Sequence, residues 1–283
     1  MRICRYNDNS LGLVKGDQLI DVTLALDVIP ETRWPKPHGD AMIAKIEEIK
    51  PKIKGNQKMG YVQGVNNVIL KSPVANPTKI IAASANYRKL LSAGPEWVDT
   101  DLYRKGKTVQ DKGLFLKAST SLVGSGEGVS LAFNERDNDH AIELAIIIGK
   151  TAKNIPYQDA LKVVAGYSIG LNHTLQGRED PSLRKSIDSY SVLGPWMTTA
   201  DEIENPDNLN FRMLVNGEVR QQSNTQHLVF NCRRLIEFAS RFYTLYPGDI
   251  IMTGAPESAG FIQPGDRIQC YCDVIGEMEV KLF

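Results

Sequence analysis

The stretch Asp139–Lys150, DHAIELAIIIGK, holds the residue best placed to do chemistry. Read as a strand, it puts Ala141, Glu143 and Ala145 on one face and His140, Ile142 and Leu144 on the other. Glu143 opens an almost unbroken apolar run, Leu144 to Ile148, that ends at Gly149. Such a run predicts a central strand buried on both faces. A carboxylate at the mouth of that strand is costly to bury alone. A cation, a lysine or a cluster of donors must therefore meet Glu143.

The elements that have to position it are mostly strands. Residues 2–6, 11–15 and 18–21 are short strand-like runs, with turns at 7–10 and 16–17, and predict a β-meander. Residues 39–49 predict a helix, with Met42, Ile43, Ile46 and Ile49 at helical spacing and Pro51 as its end. Pro73 and Pro77 mark a boundary, giving a small N-terminal β-rich domain at 1–73 and a main domain at 74–283. The main domain opens with a buried strand at 79–84, and Asn86-Tyr87-Arg88 begins a short helix. A polar loop at 94–112 reads as a solvated surface loop or a lid. Strands are expected at 114–117, 129–133 and 163–171, with one helical turn at 156–160. Residues 209–220 form a hairpin around Asn216-Gly217, a dipeptide suited to a type I′ turn. The longest helix is expected over 225–242, capped near Ser223 or Asn224, with Leu228, Cys232, Leu235, Ala239 and Phe242 on its inner face. Pro-Gly-Asp turns at 247–249 and 264–266 each launch a strand. Strands dominate without βαβ alternation, so the fold class is α+β, mostly β. The chain carries no dinucleotide fingerprint, P-loop or internal repeat.

Composition narrows the partners. A chain of 283 residues, 42% hydrophobic, can build one large domain with a real core, or one plus a small one. Its formal net charge of zero lacks the basic excess of a nucleic-acid binder. Cys4, Cys232, Cys270 and Cys272 match no zinc spacing, and Cys270 and Cys272 share a strand face. They read as reduced core residues of a cytosolic protein. With neither a basic, apolar leader nor a bilayer-length apolar run, the expected setting is soluble and cytoplasmic, with no membrane partner.

Several segments in order resemble the fumarylacetoacetate hydrolase family. They are Asn86-Tyr87-Arg88; Leu116-Lys117 with Ser119; Glu143 to Gly149; Ala165-Gly166-Tyr167; Arg184 to Asp188 with Leu193-Gly194-Pro195-Trp196; Val215 to Gln221; and Pro247 to Gly254. The resemblance covers about residues 78–283. It implies a mixed β-roll cupping an active site, a small N-terminal β-domain and a homodimer. It also implies a small anionic organic substrate, a β-diketo or 2-oxo acid that is hydrolysed or decarboxylated with the help of Mg²⁺.

Carried over residue by residue, the resemblance exposes gaps. The family holds its metal with a Glu-x-Glu pair on the central strand and an Asp on the next strand. Here the second Glu is Glu143, the first position is Ala141 and the Asp position is Asn172. Three carboxylates have become one, so about two negative charges are missing from a site meant for a hard cation. Asp139 shares a face with Glu143 but lies about 13 Å away along an unbroken strand. His140 and His173 point to the opposite face, where they pack or hydrogen-bond beneath the site; a rescued zinc site from Asp139, His140, Glu143 and His173 is the alternative. The family's His and Glu acid/base pair falls on Leu90 and Ala93, with Glu96 one helical turn on. The family Arg falls on Gln176, beside Arg178, and the second Thr of the Thr-Gly-Thr-Pro loop is Ala255. Arg88, Lys117, Lys185 and Thr253 are retained. No cofactor is expected; Mg²⁺, if held at all, would be held weakly, with Glu143 its sole metal ligand.

Two functional readings follow. In the first, the protein is an enzyme on a small oxo or diketo acid, by C–C hydrolysis, decarboxylation or related lyase or isomerase chemistry. Lys185 and Glu143 are then catalytic, and Arg88, Lys117, Asn172, Gln176 and Thr253 bind substrate. Enolate charge is held by Lys185 and the Thr253 loop instead of a metal. In the second, the cup is kept without turnover, as in a ligand-binding or assembly protein.

Overall fold

The computed structural model describes residues 1–88, 108–133 and 135–283. The expected N-terminal meander forms as β1 (Arg2–Tyr6), β2 (Ser10–Lys15) and β3 (Gln18–Asp21). β4 (Val62–Gly64) and β5 (Leu70–Lys71) complete that region. The central strands are β6 (Ile80–Ala83), β7 (Leu114–Lys117), β8 (Leu122–Val123), β10 (Ile142–Ile148) and β11 (Val164–Asn172). β13 (Ser191–Thr199) and β16 (Ile250–Met252) join them. Among the described residues these strands make one twelve-stranded sheet, with the path β4-β3-β2-β1-β13-β11-β10-β16-β6-β7.

The N-terminal strands extend the main sheet. β1 pairs with β13, setting Ile3 opposite Met197. Ile3, Leu11 and Leu13 share a core with Ala145, Ile147, Leu193 and Met197. The sheet therefore runs across the change in sequence character near residue 73.

β10 is the centre of the molecule. All seven of its residues are buried, between β11 on one side and β16 on the other. Ala145 and Ile147 face one core, while Ile142, Leu144, Ile146 and Ile148 face the second. The alternation read from the sequence holds, and burying both faces explains the apolar run. Beyond this sheet, β14 (Asn210–Val215) and β15 (Glu218–Asn224) form the expected hairpin. β18 (Arg267–Cys272) and β19 (Gly276–Lys281) complete a second sheet. All four cysteines are free and buried.

Four elements differ from expectation. The strand read from Asp139 is broken: β9 (Asn138–Asp139) pairs with β12 (Thr174–Leu175) and β17 (Phe261–Ile262) in a three-stranded sheet. The chain changes sheets at 140–141. Pro51 lies inside the helix Ile46–Asn56, because Ile46, Ile49 and Ile53 are buried on both sides of it. That packing outweighs the roughly 3 kcal/mol an interior proline costs. Residues 129–133 give a single bridge, Val129 to Leu282, and Phe133 adopts φ 55°, which no strand accommodates. The expected helix over 225–242 divides. Asn224 caps a 3₁₀ turn at Thr225–His227, and Asn231 caps an α-helix at Cys232–Phe242. Between them the Asn86 amide pairs with both the N–H and the carbonyl of Phe230, holding that backbone out of the helix. The expected Leu90, Ala93 and Glu96 positions, and most of the 94–112 loop, lie outside the described residues; Thr108 caps a short helix at Val109–Lys112. No described helix is long and apolar enough to cross a membrane.

Candidate active site

Glu143 sits near the start of β10 and is 2% exposed. One carboxylate oxygen accepts the Asn172 side-chain amide at 2.8 Å. The other accepts the Gly254 backbone N–H at 2.6 Å. The register explains the first contact: β11 sets Gly170 opposite Glu143, and Asn172 lies two residues on, on the same face. The second depends on φ +93° at Gly254, and an added Cβ there would stand 3.0 Å from the Ala83 carbonyl. Asn86 donates to the Thr253 carbonyl at 2.8 Å, tying this loop down. The Thr253 hydroxyl is buried and has no hydrogen-bond partner among the described residues.

Lys117, the last residue of β7, stands behind Asn172. Its amine donates to the Asn172 side-chain oxygen at 2.8 Å and to the Tyr190 carbonyl at 2.7 Å. This sets the amide orientation, with oxygen to the lysine and NH₂ to the carboxylate. The result is a buried chain from Lys117 through Asn172 and Glu143 to Gly254. Burial, and then repulsion from Lys185, hold the Lys117 amine well below the usual lysine range, while Glu143 pulls it upward. Burial also raises Glu143, against its hydrogen bonds and both lysines.

Lys185 closes the helix Pro181–Lys185, which Asp180 caps. Arg184 anchors that helix by donating to the carbonyls of Glu179 and Leu175. The Lys185 amine donates to the Thr174 hydroxyl at 2.5 Å and lies 5.4 Å from the centre of the Phe115 ring. Burial is the chief cause that lowers it to about 8; Glu143 and Asp139 act in the opposite sense. Lys185 pairs directly with neither Glu143 nor Asp188 among the described residues; its partner is a hydroxyl that sequence reasoning missed. Thr174 lies two residues beyond Asn172, and that spacing was the available signal.

The remaining candidates are scattered. Arg88 is exposed at the edge of a described segment. Gln176 is half-buried, its amide only reaching within 3.5 Å of Asp139, and Arg136 holds its backbone carbonyl. Asp139 also accepts from the Ser258 hydroxyl at 2.9 Å. His140 and His173 are buried, nearly parallel rings 6.3 Å apart, and their ring nitrogens have no hydrogen-bond partner among the described residues. Burial keeps both neutral, with His140 lowered to about 4. They pack against each other beneath the site, as one of the two expected arrangements. Among the described residues no three His, Cys, Asp or Glu side chains converge as metal ligands, so the zinc alternative has no site.

A hard divalent cation needs several free oxygens and net negative charge. Ala141 offers no oxygen. Of the three carboxylate positions expected, Glu143 alone is filled, and Asn172 turns its NH₂ toward it and its oxygen toward Lys117. Two lysine amines act on the same carboxylate. This donor set does not fit Mg²⁺ or Mn²⁺.

The family model described as "Fumarylacetoacetate (FAA) hydrolase C-terminal" matches residues 79–282. The chain is 45% identical over 284 residues to a maleylpyruvate hydrolase of Aquipseudomonas alcaligenes, covering 100% of this chain and 99% of that protein. It is 32% identical over 246 residues to a mitochondrial oxaloacetate tautomerase of Xenopus laevis, covering 82% of this chain and 72% of that one. Among solved structures, the maleylpyruvate hydrolase of Sphingobium sp. SYK-6 in complex with manganese(II) and pyruvate matches with a TM-score of 0.83 and 35% identity. That match covers 100% of this chain and 98% of the other.

Proposed function

The chain belongs to the fumarylacetoacetate hydrolase family, and from that premise we propose that it acts on small 2-oxo or diketo acids by enolate chemistry that needs no bound divalent metal. One observation carries this reading: two lysine amines, Lys117 and Lys185, act on a single buried carboxylate, Glu143. Burial disfavours the charged form of both amines, and the carboxylate of an anionic substrate would offset that cost. The named relatives act on maleylpyruvate and oxaloacetate, small acids of that kind.

The chain's own residues divide the work. Lys117 and Asn172 form a fixed wall, because each is held by the other and by Tyr190 or Glu143. Lys185 and the Thr253 hydroxyl are the donors left for enolate oxygen. Glu143 moves the proton on carbon, its affinity for protons raised by burial. Arg88 and Gln176 are assigned to the substrate rim. A homodimer and a cytoplasmic setting belong to the same proposal, to be checked by sedimentation and by fractionation.

The chain from Lys117 to Gly254 satisfies its own polar groups, and this favours the second reading, a ligand-binding protein without turnover. One experiment separates the two: a panel of 2-oxo acids, oxaloacetate and maleylpyruvate included, followed by ultraviolet absorbance in EDTA. Saturable consumption that EDTA leaves unchanged and that Lys185→Gln abolishes is the expected outcome. Binding of these acids without consumption would establish the second reading instead.

A further inference from the structure

We propose that Lys185 forms an imine with the 2-carbonyl of a bound 2-oxo acid, so that an iminium nitrogen takes the electron-withdrawing role that this site cannot give to a divalent cation. The inference rests on the proposed action on 2-oxo acids and names the covalent chemistry at the same site.

The two lysines differ in how they are held. The Lys117 amine is locked between the Asn172 oxygen and the Tyr190 carbonyl and is fully buried behind Asn172. Lys185 is only half-buried, and among the described residues its amine has one hydrogen-bond partner, the Thr174 hydroxyl. The Phe115 ring centre lies 5.4 Å away, a face that excludes water on that side while also attracting the ammonium. An amine in that setting, with other cationic groups nearby, gives up its proton readily and becomes a nucleophile. Burial is the main cause that lowers the amine to about 8, and Arg184 is the cationic neighbour that adds to it against Glu143 and Asp139. Glu143, within electrostatic reach of Lys185, is the nearby base.

The chemistry balances without any redox partner. The unprotonated Lys185 amine attacks the carbonyl carbon; a C–N bond forms as the C=O π pair moves to oxygen. That oxygen takes a proton, nitrogen loses one, and departure of water leaves a C=N bond that is protonated at nitrogen. The iminium draws electrons from the adjacent carbon, and Glu143 removes a proton there to give an enamine. Return of a proton to that carbon and addition of one water release the 2-oxo acid and restore the amine. The Thr174 hydroxyl, already on the Lys185 nitrogen, orients the attacking lone pair.

The test is reductive trapping of the wild-type protein with pyruvate and borohydride at pH 7.5 in EDTA, read by intact mass and peptide mapping. One adduct per chain, with the mass of pyruvic acid less one oxygen, on Lys185 and at least about tenfold above any surface lysine is expected. The adduct should disappear in Lys185→Arg, while Lys162→Arg, at an exposed site, should keep it. Trapping spread over surface lysines, or concentrated on Lys117, overturns the proposal. If oxo acids are consumed and no Lys185 adduct forms, the imine is wrong while metal-free enolate chemistry stands. If no oxo acid is consumed yet Lys185 is trapped, the imine stands and the turnover reading fails.

Discussion

Two buried carboxylates in this molecule are treated in opposite ways. Asp249, fully buried at the start of β16, accepts the backbone N–H groups of Thr78, Lys79 and Tyr246 and the Thr78 hydroxyl. Lys79 meets it directly at 2.5 Å, and that ammonium is itself satisfied by the Thr78 hydroxyl and the Thr244 carbonyl. Glu143, nearly as buried, has two donors, and its lysines stand off without touching it. The first carboxylate is saturated and locks two chain segments together. The second keeps electrostatic pull in reserve, which a structural group has no use for but a ligand site needs.

The largest expected effect breaks the first half of that contrast. Asp249→Ala strands Lys79 and three backbone donors, and should lower stability by about 3–5 kcal/mol in urea unfolding. Glu143→Gln should lower it by no more than about 1.5 kcal/mol, since one amide replaces one carboxylate within a partly satisfied set. If the two variants are equally damaging, the contrast is false.

Next in size is catalysis. Lys185→Gln should cut turnover of 2-oxo acids by about 10²-fold or more, the scale of losing one key donor to a developing oxyanion. Its unfolding midpoint should not fall, because the one hydrogen bond lost is offset by removing the cost of burying the ammonium.

The pH dependence is smaller and its sign follows from burial. Lys185 is lowered to about 8 in the folded protein, below its value near 10.5 when unfolded. Between those values the unfolded chain binds more protons, so stability rises with pH from about 8 toward 10.5 and the penalty is full below 8. By the imine route activity should rise through the same value near 8 as the amine becomes free; a fall there would mark Lys185 as a charged donor to the enolate instead. In Glu143→Gln that limb should move to lower pH, because the carboxylate helps hold the Lys185 proton on.

The smallest expected effect is none. Millimolar Mn²⁺ or EDTA should leave the thermal midpoint and the turnover of the wild-type protein unchanged. The double variant Ala141→Glu with Asn172→Asp should gain a Mn²⁺-dependent rise in midpoint. A wild-type midpoint that climbs with Mn²⁺ would show that the donor set around Glu143 does hold a divalent cation.

How much of this was legible in the sequence follows from the range of each interaction. The buried run at 144–148, the alternation around it and the Asn216-Gly217 hairpin are local patterns, and they stand as read. Elements that depend on distant packing were misread: the helix through Pro51, kept by three buried isoleucines, and the helix break at Phe230, imposed by Asn86 from far along the chain. The same division runs through the site. That Glu143 must be met by donors follows from its sequence neighbours alone, since a buried carboxylate is costly wherever it sits. Which donors meet it was left to the tertiary structure. Asn172 reaches it through the β10–β11 register, Gly254 through a loop across the sheet, and Lys117 only by way of Asn172, while Lys185 is turned toward Thr174. Spacing along the chain fixes which side of a strand a residue faces; only the assembled sheet decides which residue stands opposite.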